Sequence, residues 1–286
     1  MSPAALVVYD WLTLPGFLVY AVAGSPFVIK AAVQDSADIV LAGVPEGTTH
    51  FLFHLNCTRT SRFPVDRANL VGGLDARGIR VLNERATDIS KAFLQERCRA
   101  LGLPSVHTTS DAGTPDDMIM VKSNLNYGGA NEWALTAEER DILGVGPGST
   151  MIYEPNHYLV MPRREVEAGW WEDAQLVCER FVGNEDGRWL RAFRFLDRFV
   201  LCEMESADQV KKVGSSVLHR AWMIGPDYRE SLPDDAVAAR TFAEILQLTD
   251  DMGVDFGAID AMVDADGTPY IIDVNTTPAY YSPAPG

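Results

Sequence analysis

Residues 256–278 have the sequence FGAIDAMVDADGTPYIIDVNTTP, and no other stretch carries as much structural information. Apolar runs flank an Asp-Gly pair at 266–267, a turn signal between strands that predicts a β-hairpin. Asp260 lies on the first predicted strand, and Asp273 and Asn275 share one side of the second, because strand side chains alternate. Such oxygen ligands suit Mg²⁺ completed by substrate phosphates. The alternative is a pair of solvated carboxylates before an Asx turn, and the hairpin spacing favours the metal site.

The remaining apolar patterns predict a mixture of helices and strands. Strands are predicted at 6–9, 27–29, 39–41, 51–53, 79–82, 118–121, 176–178, 189–195 and 199–204, and helices at 67–77, 91–101 and 234–252. The order strand, helix, strand over the first third indicates a parallel sheet. The hairpins and helices of the second part indicate mixed α/β structure there.

Composition and charge describe a globular chain of 286 residues with 47% hydrophobic residues, enough for a large core and two lobes. The net charge of −16 disfavours nucleic acid and acidic membrane surfaces as partners. The four cysteines are far apart in sequence, which favours free thiols in a reducing compartment over zinc. Residues 4–24 are apolar but contain Asp10 and lack a basic start, so we expect a strand, a turn and a helix in a cytoplasmic protein.

A lysine precedes a glycine-containing loop in residues 121–131, VKSNLNYGGAN. Backbone N–H groups of such a loop can bind phosphate oxygens while the ammonium of Lys122 neutralises their charge. The residue order is not that of a Walker A motif. A second glycine cluster at 144–148 is predicted to be an ordinary turn. Residues 56–62, NCTRTSR, are predicted to receive a substrate carboxylate or to form a solvated loop.

The chain resembles the ATP-grasp superfamily in the order and spacing of five features: Lys91, Lys122 with its glycine loop, the segment CERFV at 178–182, Arg191 and the carboxylate hairpin. The D-alanine:D-alanine ligase and ribosomal S6 modification (RimK-like) branches are the most similar, over about residues 82–278. The resemblance implies an α/β (α+β) ATP-grasp fold. It places a small N-terminal α/β pre-ATP-grasp domain at 1–88 and the ATP-grasp domain at 89–286, with a central lid at about 118–180.

The same resemblance implies an ADP-forming carboxylate–amine ligase. ATP would phosphorylate a carboxylate to an acyl phosphate, which an amine then attacks to give an amide or peptide bond. Small-molecule or peptide carboxylates and amines, such as amino acids, are the expected substrates. The cofactors would be ATP and one or two Mg²⁺ ions, or Mn²⁺ in their place. Because the chain ends soon after the hairpin, we expect a homodimer whose second subunit completes the pocket.

The family motifs also assign residues by position. The implied nucleotide-binding residues are Lys91, Lys122, Asn126, Gly128, Gly129, Glu179, Arg180, Phe181, Val182, Glu185 and Asp186. Among them, the lysines and the glycine loop would hold phosphates, Glu179 and Val182 would meet adenine, and Glu185 or Asp186 would bind ribose. The implied catalytic residues are Arg191, Arg220 and Lys122, and the implied metal ligands are Asp260, Asp273 and Asn275. For Arg220, a surface salt bridge is an equal alternative.

Two departures from the family pattern limit this assignment. Asp273 stands where the family usually has Glu, and Ala258 stands where D-alanine ligases have a catalytic Arg, so D-alanine ligase activity is not predicted. Two other functions therefore stay open. One is phosphate transfer to a hydroxyl by the same fold, and the other is a non-catalytic nucleotide-binding module.

Overall fold

The computed structural model describes residues 5–14, 16–145, 158–184, 186–227 and 232–279. The strands are β1 (Leu6–Asp10), β2 (Phe27–Lys30), β3 (His50–His54), β4 (Arg80–Leu82), β5 (Met118–Ser123), β6 (Leu159–Pro162), β7 (Leu176–Arg180), β8 (Arg188–Phe195), β9 (Arg198–Glu205), β10 (Val217–Ile224), β11 (Phe256–Val263) and β12 (Pro269–Asn275). The helices are α1 (Leu18–Val22), α2 (Ala37–Gly43), α3 (Arg67–Asp75), α4 (Lys91–Ala100), α5 (Ala130–Trp133), α6 (Ala137–Ile142) and α7 (Ala236–Met252). None of the helices described is long and apolar enough to cross a membrane.

The first sheet is parallel, with the strand order β2-β1-β3-β4, as the strand, helix, strand pattern predicts. Alternation along β1 divides its buried side chains between the two faces. Tyr9 packs with Phe51 and the helices α2 and α3 on one face, whereas Val8 packs with Leu52 and α1 on the other. Helices therefore cover both faces of this sheet, which is typical of a parallel sheet.

The predicted strand at 39–41 is wrong, because these residues belong to helix α2. The Ser36 side chain accepts a hydrogen bond from the Ile39 backbone N–H and so caps the helix. Only Ala37 and Val40, three residues apart, are buried, and Ile39 is 69% exposed. The apolar run is thus the flank of a short amphipathic helix and not a buried strand.

The second sheet is antiparallel, with the order β10-β9-β8-β11-β12. Helices α4 and α7 pack on one of its faces, where Leu94, Ile245 and Ile259 share a core cluster. Helix α7 begins after Asp235, whose side chain accepts from the Ala238 N–H, and ends at Gly253 in the left-handed conformation (φ 70°). The opposite face of the antiparallel sheet faces the third sheet across a cavity.

The third sheet, which we call the small sheet, has the order β6-β5-β7 and lies within the predicted lid, at 118–180.

Asn83 connects the first sheet to β11. Its side-chain oxygen accepts hydrogen bonds from Asp255 N and Phe256 N, and its side-chain amide donates to Phe256 O. All four cysteines are free, and three of them are buried. The domain boundary at residue 88 stays a prediction.

Candidate functional site

A cavity lies between the small sheet and the uncovered face of the antiparallel sheet. Strands β5, β7, β11 and β12 supply much of its wall, and the loop after β9 supplies another part. The lining residues are Lys91, Val106, Met120, Lys122, Tyr158, Glu179, Arg180, Phe181, Val182, Gln209, Val210, Lys211, Asp260, Met262, Ile272 and Asp273. Eight residues that the sequence analysis assigned to nucleotide or metal therefore meet in one place.

The carboxylate hairpin has the predicted geometry. Strands β11 and β12 are antiparallel neighbours, and Asp260 stands directly opposite Asp273 across the pair. Both side chains line the cavity, whereas Ile259 and Ala261 pack on the other face of the sheet against α7. Alternation within a strand and pairing between strands thus place two carboxylates on the cavity side.

Lys122 and Glu179 form a buried ion pair in the cavity wall. The Lys122 Nζ and Glu179 Oε2 atoms are 2.7 Å apart, and the two side chains are only 6% and 5% exposed. Burial is the largest single effect and lowers the pKa of Lys122, but the charge and hydrogen bond of Glu179, helped by Tyr158 and Asp273, raise the pKa above its usual value. Lys122 is therefore a cation at neutral pH.

The other oxygen of Glu179 is a potential contact for a ligand. Glu179 Oε1 is buried and has no hydrogen-bond partner among the described residues. An unpaired buried acceptor is costly, and a donor such as the amino group of adenine would satisfy it. The cavity thus offers a hydrogen-bond acceptor beside apolar Val182 and Met262, which suits a purine base.

Two more ion pairs involve the carboxylate hairpin. Lys91 Nζ contacts Asp273 Oδ1, and one Arg191 nitrogen lies 3.1 Å from each Asp260 oxygen. Arg191 is on β8, directly beside Asp260 on β11, but it does not line the cavity. In the structure it pairs with Asp260, and its catalytic role stays a prediction.

The titration of Asp260 predicts a pH dependence of stability. Burial, partly offset by Arg191 and supplemented by Asp273, raises the pKa of Asp260 to about 6. A carboxyl group with a raised pKa stabilises the fold at pH values below its unfolded pKa, and this stability is lost as the pH rises through the folded value. Relative to Asp260→Asn, the wild type should lose about 2 kcal/mol between about pH 4 and pH 7.5. Urea unfolding of both proteins across this range measures the difference, and a constant difference would contradict the assignment.

Two of the three predicted metal ligands line the cavity. Asp260 and Asp273 line the cavity, but Asn275 does not, and its side-chain oxygen accepts from Thr277 N and Thr277 Oγ1. Within the described ranges, no group of three or more His, Cys, Asp or Glu side chains could hold a metal alone. Two carboxylates fit Mg²⁺ if nucleotide phosphates and water supply the other ligands.

The glycine loop lies outside the cavity lining. Asn126, Gly128 and Gly129 form a 3-10 turn in which both glycines have positive φ (67° and 78°). The turn is held against the loop after β3, because Asn126 N donates to Thr58 Oγ1 (2.8 Å) and Glu132, in α5, accepts from Thr58 N. The predicted phosphate contacts of these three residues stay a prediction that requires the loop to move.

Three other predicted residues are also away from the cavity or outside the described ranges. Arg220 forms an ion pair with Asp234 (3.1 Å) in which both side chains are exposed, as the surface alternative predicts. Asp186 accepts a hydrogen bond from Arg188 N and lines a separate cavity beside the start of α7. Glu185 lies outside the described residues, as do 146–148 of the second glycine cluster.

The loop at 56–62 contacts several parts of the site. Asn56 Oδ1 accepts from Thr277 Oγ1 (2.9 Å), next to the carboxylate hairpin. Arg59 lies 3.5 Å from Asp88 and donates to Gly144 O, and Arg62 is exposed. Cys57, Thr58 and Thr60 are buried, so the loop is a packed connection at its centre, and only part of it is solvated.

Sequence reasoning missed half of the cavity wall: Val106, Met120, Tyr158, Gln209, Val210, Lys211, Met262 and Ile272. Alternation from Asp260 identifies Met262, and alternation from Lys122 identifies Met120. The loop residues 209–211 follow β9 and carry no comparable signal, because only the packing of the loop brings them to the cavity.

No protein-family model matches the sequence, and no curated protein matches it. Solved structures match in fold. The ATP-grasp ligase PsnB, complexed with a minimal precursor, Mg and ADP, gives a TM-score of 0.52 at 14% identity over 96% of this chain and 90% of that chain. PsnB complexed with precursor peptide PsnA2 and AMPPNP gives a TM-score of 0.51 at 14% identity over 96% and 89%. An L-amino acid ligase from Bacillus licheniformis gives 0.50 at 12% identity over 97% and 68%. The chain has the ATP-grasp fold, as the order of its motifs predicts.

Proposed function

We propose that this protein is an ATP-dependent carboxylate–amine ligase that forms an amide or peptide bond through an acyl phosphate. One observation carries the proposal: a single cavity between two sheets is lined by Lys91, Lys122, Asp260 and Asp273. Phosphoryl transfer depends mainly on positioned cations and on the exclusion of water. The cavity brings together two lysines, which can bind phosphates, and two carboxylates, which can bind a metal ion.

The residues suggest how the nucleotide lies. Glu179 Oε1 and the backbone at Val182 would bind the adenine, and the two lysines would bind the phosphates. Asp260 and Asp273 would hold Mg²⁺, which when bound neutralises charge on the transferred phosphate. Because both carboxylates are already paired with Arg191 and Lys91, the metal–nucleotide complex would share or replace these partners.

The proposed reaction has two steps. A carboxylate oxygen of the first substrate attacks the γ-phosphorus, the bond to the β-phosphate oxygen breaks, and ADP leaves. The amine of the second substrate then attacks the acyl carbon, the bond from that carbon to the phosphate oxygen breaks, and the proton lost by the amine is released to solvent. The products are an amide, ADP and phosphate. Exclusion of water from the cavity would protect the acyl phosphate from hydrolysis.

The similar folds support this class of substrate. PsnB, in its solved complexes, binds a precursor peptide, and one complex also contains Mg and ADP. The Bacillus licheniformis protein is described as an L-amino acid ligase. An amino acid or a peptide is therefore the substrate class proposed here. The homodimer and the cytoplasmic location remain predictions.

Hydroxylamine trapping tests the proposal. Pools of amino acids and short peptides are incubated with ATP, Mg²⁺ and hydroxylamine, which converts an acyl phosphate to a hydroxamate. The proposal predicts a hydroxamate and one ADP for each molecule formed. Stable phosphorylated product without hydroxamate would indicate transfer to a hydroxyl, and nucleotide binding without turnover in any pool would support the non-catalytic alternative.

A further inference from the structure

Asn124 joins the two elements that carry the cavity lysines. It directly follows β5, which contains Lys122, and it is only 4% exposed. Its side-chain oxygen accepts from Ala92 N (2.9 Å), and its backbone oxygen accepts from Lys91 N (3.2 Å). These two N–H groups open helix α4, whose first residue is Lys91.

The same residue is bonded to the segment that leads into β7. The Asn124 side-chain amide donates to Ala174 O (3.1 Å), and its backbone N–H donates to Gln175 O (2.8 Å). Strand β7 carries Glu179, the partner of Lys122. All four of the hydrogen-bonding groups of Asn124 therefore have partners, two at the start of α4 and two in the segment that precedes β7.

Helix α4 depends on Asn124 for its first turn. The first N–H groups of a helix lack partners within the helix, and the preceding residue usually supplies a side-chain acceptor. Ser90 occupies that position here, but its side chain makes no capping hydrogen bond. Asn124 replaces this cap from a distant part of the sequence, so the first turn of α4 is hydrogen-bonded to the residue that follows β5.

We propose that Asn124 is a positioning residue that holds Lys91 and Lys122 at the spacing needed to bind one triphosphate. This inference rests on the proposed function. Two cations on separate elements can bind one polyphosphate well only if the elements keep a fixed relation to each other. Adenosine, whose base would contact Glu179 and Val182, does not need both lysines.

The test compares affinity for the Mg²⁺ complex of AMPPNP with affinity for adenosine. Asn124→Ala should weaken AMPPNP binding about tenfold, the effect of roughly one or two lost hydrogen bonds, and leave adenosine binding unchanged. Asn124→Asp keeps the acceptor for Ala92 N and loses the donor to Ala174 O, so its loss should be smaller. Asn69→Ala, at an exposed asparagine of α3, is the matched control and should bind both ligands like the wild type.

Each outcome separates the inference from the function on which it rests. Equal AMPPNP affinity in wild type and Asn124→Ala, or an equal loss of AMPPNP and adenosine, would overturn the positioning role. If Asn124→Ala does not fold, Asn124→Asp is used instead, with a smaller expected loss of AMPPNP affinity. A ratio of AMPPNP affinity to adenosine affinity equal to that of the wild type would then overturn the role. Failure of the wild type to bind AMPPNP would reject the proposed function itself, and the inference with it.

Discussion

Replacing Lys122 by Met is expected to lower the free energy of unfolding by about 3–5 kcal/mol, because it leaves the buried carboxylate of Glu179 without its cation. The two side chains are among the least exposed charged groups of the cavity, at 6% and 5%. A buried carboxylate without a cation either destabilises the folded protein or takes up a proton. Chemical unfolding at neutral pH measures the loss, and Lys30→Met, at an exposed lysine of β2, should change it little.

A double variant separates the contribution of Lys122 to stability from its contribution to nucleotide binding. In Lys122→Met/Glu179→Gln the buried charge is gone, so most of the lost stability should return. The double variant should still fail to bind an ATP analogue, because it lacks the phosphate-binding cation. A double variant no more stable than Lys122→Met would show that the ion pair is not the source of the effect.

Replacing Asp273 by Asn is expected to lower the rate of hydroxamate formation by about 100-fold or more, the size of effect that follows loss of a charged transition-state contact. Asp273 lies opposite Asp260 and next to Lys91, so its removal takes away a predicted Mg²⁺ ligand and the partner of a lysine. The measurement is trapping with the substrate that the pools identify.

The hairpin itself supplies the control for Asp273. Asp266 is an exposed carboxylate in the turn between β11 and β12, so Asp266→Asn makes the same chemical change away from the cavity. It should keep full activity. Undiminished trapping by Asp273→Asn would remove this carboxylate from the mechanism.

The parts of the fold that sequence predicted have local causes. An Asp-Gly turn and alternating side chains are sufficient to place Asp260 opposite Asp273. Helix α7 has a capping residue, an apolar stripe and a terminal glycine, and all three lie within its own sequence. Short-range physics is enough for such elements, and the resemblance to a known superfamily then gives their arrangement.

One of the missed parts depends on a local helix cap, and the others depend on contacts that are distant in sequence. Residues 39–41 have the composition of a strand, but Ser36 and the burial of only Ala37 and Val40 make them helical. Lys211 reaches the cavity only through the path of the loop after β9. Asn124 was predicted within a phosphate loop, but it caps a helix that begins 33 residues earlier in sequence. No local pattern contains that contact.

Thermal unfolding with a non-hydrolysable ATP analogue tests the central claim most directly, because a ligand that binds only the native state raises its apparent stability. The wild type should show a rise with the analogue that increases when Mg²⁺ is added, and the increment from Mg²⁺ should be lost in Asp273→Asn. No rise in the wild type at saturating analogue, with or without Mg²⁺, would contradict a nucleotide site in this cavity.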